Sequence, residues 1–104
     1  MANTLYSVTI ENEAFSDINQ LVLFYLHQSQ DIGLAQRVED AIYDAIDTLE
    51  IMPMRCVLYR KDPPLYKLTL NQFPIIIYFV IDKQSHTVQI VHVYHGASNH
   101  QPNL

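Results

Sequence analysis

One cysteine in 104 residues, Cys56, leaves no partner for an internal disulfide and too few thiolates for a cysteine zinc cluster. Long apolar runs are missing too. The longest, Pro74 to Ile81, falls far short of the roughly 20 residues that span a bilayer. The opening stretch MANTLYSVTIENE has no basic leader ahead of an apolar segment, so no secretory signal is expected. Charged residues make up only 16% against 49% hydrophobic, which makes the chain globular and its thinly charged surface a candidate for cover by a partner. No repeat, linker or low-complexity segment interrupts it. The expectation is one cytoplasmic domain over residues 1–98, off the membrane, with a loose polar tail at 99–104.

Basic residues are scarce where acids gather. Residues 1–52 carry nine acids and a single base, Arg37, for a net charge of −8. Residues 53–104 carry two acids and five bases, for +3. Arg55, Arg60, Lys61 and Lys67 fall close together, so one acidic and one basic face are expected. The plainer account is that helices carry more surface acids than strands do.

What is present is a clean succession of periods. Tyr6, Val8 and Ile10 alternate with Ser7 and Thr9, as in a half-buried strand. Asn12 is a suitable N-cap, and Phe15, Ile18, Val22, Tyr25 and Leu26 then recur at helical spacing, the stripe widened by Leu21, Leu23 and Phe24. Asp31-Ile32-Gly33 makes a corner. Leu34, Val38, Ala41, Ile42, Ala45, Ile46 and Leu49 give a second helix one apolar face until Met52-Pro53. The spacing predicts helices near 13–29 and 34–51 and strands near 66–70, 75–82 and 87–95. Ile75 to Ile81, apolar on both faces, belongs at the sheet centre. The fold class is α+β, in the order β-α-α-β-β-β, with a helical hairpin on one face of a small antiparallel sheet.

This order in about 100 residues, Ala14 and Asp17 early in the first helix, Pro53 after the second, and "YKLTLNQFPIIIYFVID" followed by "IVHVYH" together resemble the RelE/ParE superfamily of type II toxin–antitoxin toxins. The ordered pattern L-x-L-x-x-F-P-x-x-I-Y at 68–78 is the most specific part, and the resemblance spans residues 5–98. The ParE-like, plasmid-stabilisation branch is the nearer one. The resemblance implies a toxin neutralised by a cognate antitoxin. RelE-like members cleave mRNA on the ribosome; ParE-like members poison DNA gyrase.

RNA cleavage through the 2′-hydroxyl needs an acid, a base and cations for the charge developing on phosphorus. The resemblance implies an arginine two residues before Tyr78 and another three residues after His95. This sequence has Ile76 and Ser98 there. If the chain is a nuclease, His95, Tyr78 and Lys67 are its catalytic candidates, with Arg55 and Arg60 from the preceding segment. Tyr59 and Tyr66, flanking Pro63-Pro64, are candidate anchors for a partner. Cys56 reads as an inert thiol despite its neighbour Arg55. No metal or cofactor is expected: His92 and His95 point to opposite faces of a regular strand, and His86 lies about 20 Å from His92 at strand rise. Both strand histidines read most simply as hydrogen-bonded sheet residues. The expected mode is toxicity by contact with a protein such as DNA gyrase. The alternatives are a ribosome-dependent mRNA interferase and an inactive interaction module, and the oligomeric state is open, a homodimer included.

Overall fold

A computed structural model of the chain describes residues 5–96. The expected tail at 99–104 and the Ser98 position lie outside them. The elements run β1 (Ser7–Ile10), α1 (Asn12–Ser29), α2 (Ile32–Asp47), two short 3₁₀ turns (Thr48–Glu50 and Pro53–Arg55), β2 (Val57–Lys61), β3 (Pro64–Thr69), β4 (Ile75–Asp82) and β5 (Thr87–His95).

The helical hairpin forms as the periodicity predicts, with adjusted ends. Glu11, not Asn12, occupies the N-cap of α1, without a side-chain bond to the helix. Gln30 ends α1 in the left-handed conformation and donates its N–H to Leu26 O. Asp31 then caps α2, its carboxylate accepting the Leu34 N–H at 3.2 Å, so α2 starts inside the expected corner. Its apolar stripe is the core: Val38 and Ile42 are fully buried, as is Leu49 in the 3₁₀ turn that follows.

The sheet has the order β1-β5-β4-β3-β2. Antiparallel pairing joins β2 through β5, whereas β1 runs parallel to β5, so the sheet is mixed rather than purely antiparallel. It also has a fifth strand, β2, absent from the expected set. Its residues do not alternate: Val57 and Leu58 are both exposed, and a register shift between Leu58 and Arg60 breaks the period. β4 is central, as its two apolar faces require. Ile75, Ile77 and Phe79 point to the helices and share one core with Ile18, Leu21, Ile42, Val88 and Ile90. Burial of such side chains contributes about 1.5–3 kcal/mol each.

Two features of the sheet position everything that follows. The register between β4 and β5 jumps from Tyr78↔His92 to Phe79↔Ile90, leaving Val91 as an extra residue. And α1 is placed beside β5 rather than over the sheet centre, so Ala14, Ile18 and Leu21 are buried while Phe15, Leu23 and Phe24 stay exposed. The wide stripe of α1 is therefore only partly used inside the chain.

Candidate functional site

The face of the sheet away from the helices carries a row of rings. Lys67 and Tyr78 are direct cross-strand partners on β3 and β4. The Tyr59 ring meets Tyr78 edge-on at 5.1 Å, and the Lys67 ammonium stands 5.8 Å above Tyr59. Tyr94 lies 5.9 Å from Tyr78, and His92 stacks on Tyr94 at 5.0 Å. Burial, then the neighbouring Tyr59 and Tyr94, raises the Tyr78 hydroxyl above its ordinary range. Burial, then Asp17 and Glu13, raises Tyr94. These phenols hold their protons at neutral pH, so they can donate hydrogen bonds but are poor bases.

His95 is on the other side. It pairs with Ile75, whose side chain is in the helix-facing core, and its Nε2 lies 3.2 Å from the Tyr25 hydroxyl of α1. Phe24 covers it edge-on at 6.0 Å. Of the three residues with expected catalytic roles, the sheet thus brings Lys67 and Tyr78 together and sends His95 to the opposite face. The histidine that joins the tyrosines is His92. Its Nδ1 is 3.0 Å from Asp17 Oδ2, which also accepts the Val93 backbone N–H at 3.0 Å. Asp17 stood out in the sequence only as an early acid of the first helix. That it ties α1 to β5 depends on the β5 bulge, which no spacing announces.

The expected binding residues are distributed as follows. The Arg55 guanidinium is bonded to Ile51 O, Met52 O and Thr48 Oγ1, closing the end of the helical segment. Arg60 donates from Nε to Pro63 O at 3.2 Å. Tyr59 belongs to the ring row. Tyr66 faces the helices, stacked on Phe79 at 5.7 Å. Burial pushes the Cys56 thiol up, with Arg55 only opposing it. Ile76 occupies the slot where the RelE-like pattern carries arginine, packed so closely under Gly96 that a Cβ there would meet it at 3.1 Å.

A cleft of ≈460 Å³ opens between α1 and the end of β5, lined by Asp17, Gln20, Leu21, Phe24, Val93, Tyr94 and His95. Its floor is mainly apolar. A second exposed apolar stretch runs from Ile51 through Met52, Met54 and Val57 to Leu58. Among the described residues, no helix is long and apolar enough to cross a membrane.

No curated protein matches the chain in sequence. Solved structures share its fold. The chromosomal ParDE toxin–antitoxin system from P. aeruginosa superimposes with a TM-score of 0.76 at 16% identity, covering 88% of this chain and 97% of that one. The RelBE2 toxin–antitoxin complex from Mycobacterium tuberculosis gives 0.64 at 19%, covering 88% and 98%. A mutant of the E. coli toxin RelE in the free state gives 0.55 at 12%, covering 91% and 87%. At these identities the likeness establishes the fold. The family comes from the sequence itself, which matches the ParE toxin of the type II toxin–antitoxin system parDE over residues 8–100. The chain therefore belongs to the ParE toxin family of type II toxin–antitoxin systems.

Proposed function

We propose that this toxin acts by binding a protein target, DNA gyrase being the one its branch of the superfamily implies, and that a cognate antitoxin neutralises it. The observation that carries this reading is the division of the would-be nuclease residues by the sheet. Lys67 and Tyr78 share one face, His95 is bonded to Tyr25 on the other, and Ile76 stands where a cation would meet phosphate. Electrostatic stabilisation of the developing charge is usually the largest catalytic term, and a face of tyrosines with one central lysine supplies little of it. The similar ParDE and RelBE2 structures come from toxin–antitoxin systems, which supports an antitoxin as partner.

The test is induction of the chain in growing cells, with mRNA ends mapped and gyrase supercoiling assayed with purified chain. Growth arrest with intact mRNA and inhibited supercoiling supports the proposal. Codon-positioned mRNA cleavage on ribosomes, lost on His95→Ala or His92→Ala, would establish the mRNA interferase instead. Absence of any arrest would leave an inactive interaction module.

A further inference from the structure

The open face of the sheet holds a polar side chain that the fold buries without pairing. Tyr78, in the middle of β4, points away from the helices, yet it is only 4% exposed. Its neighbours cover it: Tyr59 edge-on at 5.1 Å from β2, Tyr94 at 5.9 Å from β5, and Lys67 opposite it on β3. Leu65, on the same face of β3 as Lys67, is buried as well, at 2%. The Tyr78 hydroxyl nevertheless has no hydrogen-bond partner among the described residues and is not sealed from solvent. Side chains buried this deeply ordinarily pair their polar atoms. This hydroxyl keeps its proton, because burial raises it, and so offers an O–H to whatever settles over it. The charges around it are one-sided. Lys67 stands toward β2, with exposed Val57 as its own cross-strand partner. On the β5 side Asp17 and Glu13 of α1 act on the Tyr94 hydroxyl, and Asp17 is already bonded to His92 and the Val93 N–H.

We propose that Tyr78 and Lys67 together receive a single carboxylate side chain of the toxin's protein target. The proposal rests on the reading that the toxin acts by binding a protein, and it names the chemistry of one contact. The Tyr78 O–H and the Lys67 ammonium are both donors, and they are direct cross-strand partners, so the two oxygens of one carboxylate can accept from both. The Tyr59 ring and the exposed Val57 side chain then meet the apolar groups on either side of that carboxylate. A polyanion fits less well. Arg60 on β2 donates to Pro63 O, and a nucleic-acid strand crossing the sheet from Lys67 toward β5 would run into Asp17 and Glu13. A second copy of this chain fits no better: two such faces set against each other oppose donors to donors, and the carboxylate of Asp17 is already bonded. The face is thus selective for an isolated acidic side chain in an apolar setting.

Two capped tripeptides test this, Phe-Glu-Phe and Phe-Gln-Phe, titrated into the purified chain while the amide and ring signals of Tyr59, Lys67, Tyr78 and Tyr94 are followed by NMR. The glutamate peptide is expected to move these signals and to bind about tenfold tighter than the glutamine one. Tyr78→Phe keeps the ring and removes only the O–H, and should weaken the glutamate peptide about tenfold. Lys67→Glu should abolish the preference for glutamate, and Lys67→Arg should keep it. In the supercoiling assay about tenfold more of the Tyr78→Phe or Lys67→Glu variant should be needed to inhibit gyrase, with amide signals away from the site unchanged because both are folded. Equal binding of the two peptides, shifts confined to other residues, or a glutamate preference untouched by Lys67→Glu would overturn the proposal. So would tighter binding of a single-stranded oligonucleotide at these signals, or their displacement by self-association of the chain alone. Gyrase inhibition that neither variant weakens would overturn it too, while leaving the protein-target reading in place. A parent chain that leaves gyrase uninhibited removes the gyrase reading alone, and the two peptides then decide the site.

Discussion

At one end of the sheet, β1 covers β5 only as far as Ile90, and α1 closes what remains: Asp17 takes the Val93 N–H, and His92, Tyr25 and His95 fasten helix to strand. At the other end, among the described residues, β2 has no further strand beside it and no helix packed along it. Both ends pose the same physical problem, an unpaired backbone edge. The stretch of β5 beyond β1 is closed within the chain by side chains some 75 residues apart in sequence. The β2 edge is lined by exposed valine and leucine and by the basic pair Arg60 and Lys61. A residue near β5 should therefore matter to folding, and a residue on β2 to association.

The largest effect should come from the core that anchors the closed end. Phe79 is fully buried on β4, stacked on Tyr66 and packed among Ile18 and Ile90. Phe79→Ala is expected to cost about 3–5 kcal/mol, seen as a large fall in the midpoint of denaturant unfolding. A change below about 1 kcal/mol would mean that the helix-facing core is not what holds the sheet.

Next is the clamp itself. Asp17→Ala leaves the Val93 N–H and His92 without their partner, and losses of this kind cost about 1–3 kcal/mol. Exchange of the Val93 amide should quicken in the same variant while amides of β2 and β3 stay unchanged. Equal acceleration at both ends would dissolve the distinction between them.

How much of this was legible in the sequence differs between the ends for the same reason. The helices, β4 and β5 announce themselves because they bury one regular face: Val38, Ile42 and Leu49 at helical spacing, Ile75, Ile77 and Phe79 at strand spacing. β2 buries neither face, so no period marks it. The parallel pairing of β1 with β5 was hidden as well, since alternation reveals a strand but not its neighbour. The site was legible in composition and not in arrangement. Tyr78, Lys67 and His95 were recognisable as candidates by residue type. That His92 rather than His95 joins Tyr78 and Lys67 follows from Val91, the extra residue of the β5 bulge, which shifts strand parity locally.

The tyrosines that line β4 and β5 should show the closed end in alkaline solution. Burial raises the hydroxyls of Tyr25 and Tyr78 above the ordinary value of 10.0, and Tyr94 is raised too. The unfolded chain then loses these protons first. Their contribution to stability is intact below about pH 10 and falls as the pH climbs from there through the folded-state values, the Cys56 thiol, raised from 9.0, adding its own earlier decline. Tyr25→Phe combined with Tyr78→Phe should flatten that decline, monitored by circular dichroism across the alkaline range. An unchanged alkaline profile in the double variant would place the controlling groups elsewhere.

The smallest effect on stability is expected where the comparison is most exposed to failure. Val57→Thr with Leu58→Thr puts β-branched side chains at both positions of β2 and removes two apolar surfaces that already face solvent. Surface substitutions of this kind stay within about 0.5 kcal/mol, so the unfolding midpoint should barely move. Binding of a dye sensitive to apolar surface should nevertheless fall. Val88→Thr is the matching control on β5. Its side chain is fully buried, and a hydroxyl placed there without a partner costs about 1–3 kcal/mol. One threonine at the closed end should thus do more to stability than two at the open edge, and do nothing to the dye in the folded protein. If the β2 pair instead unfolds the chain, its exposed valine and leucine serve the monomer's own stability, and the open edge is not held in reserve for a partner.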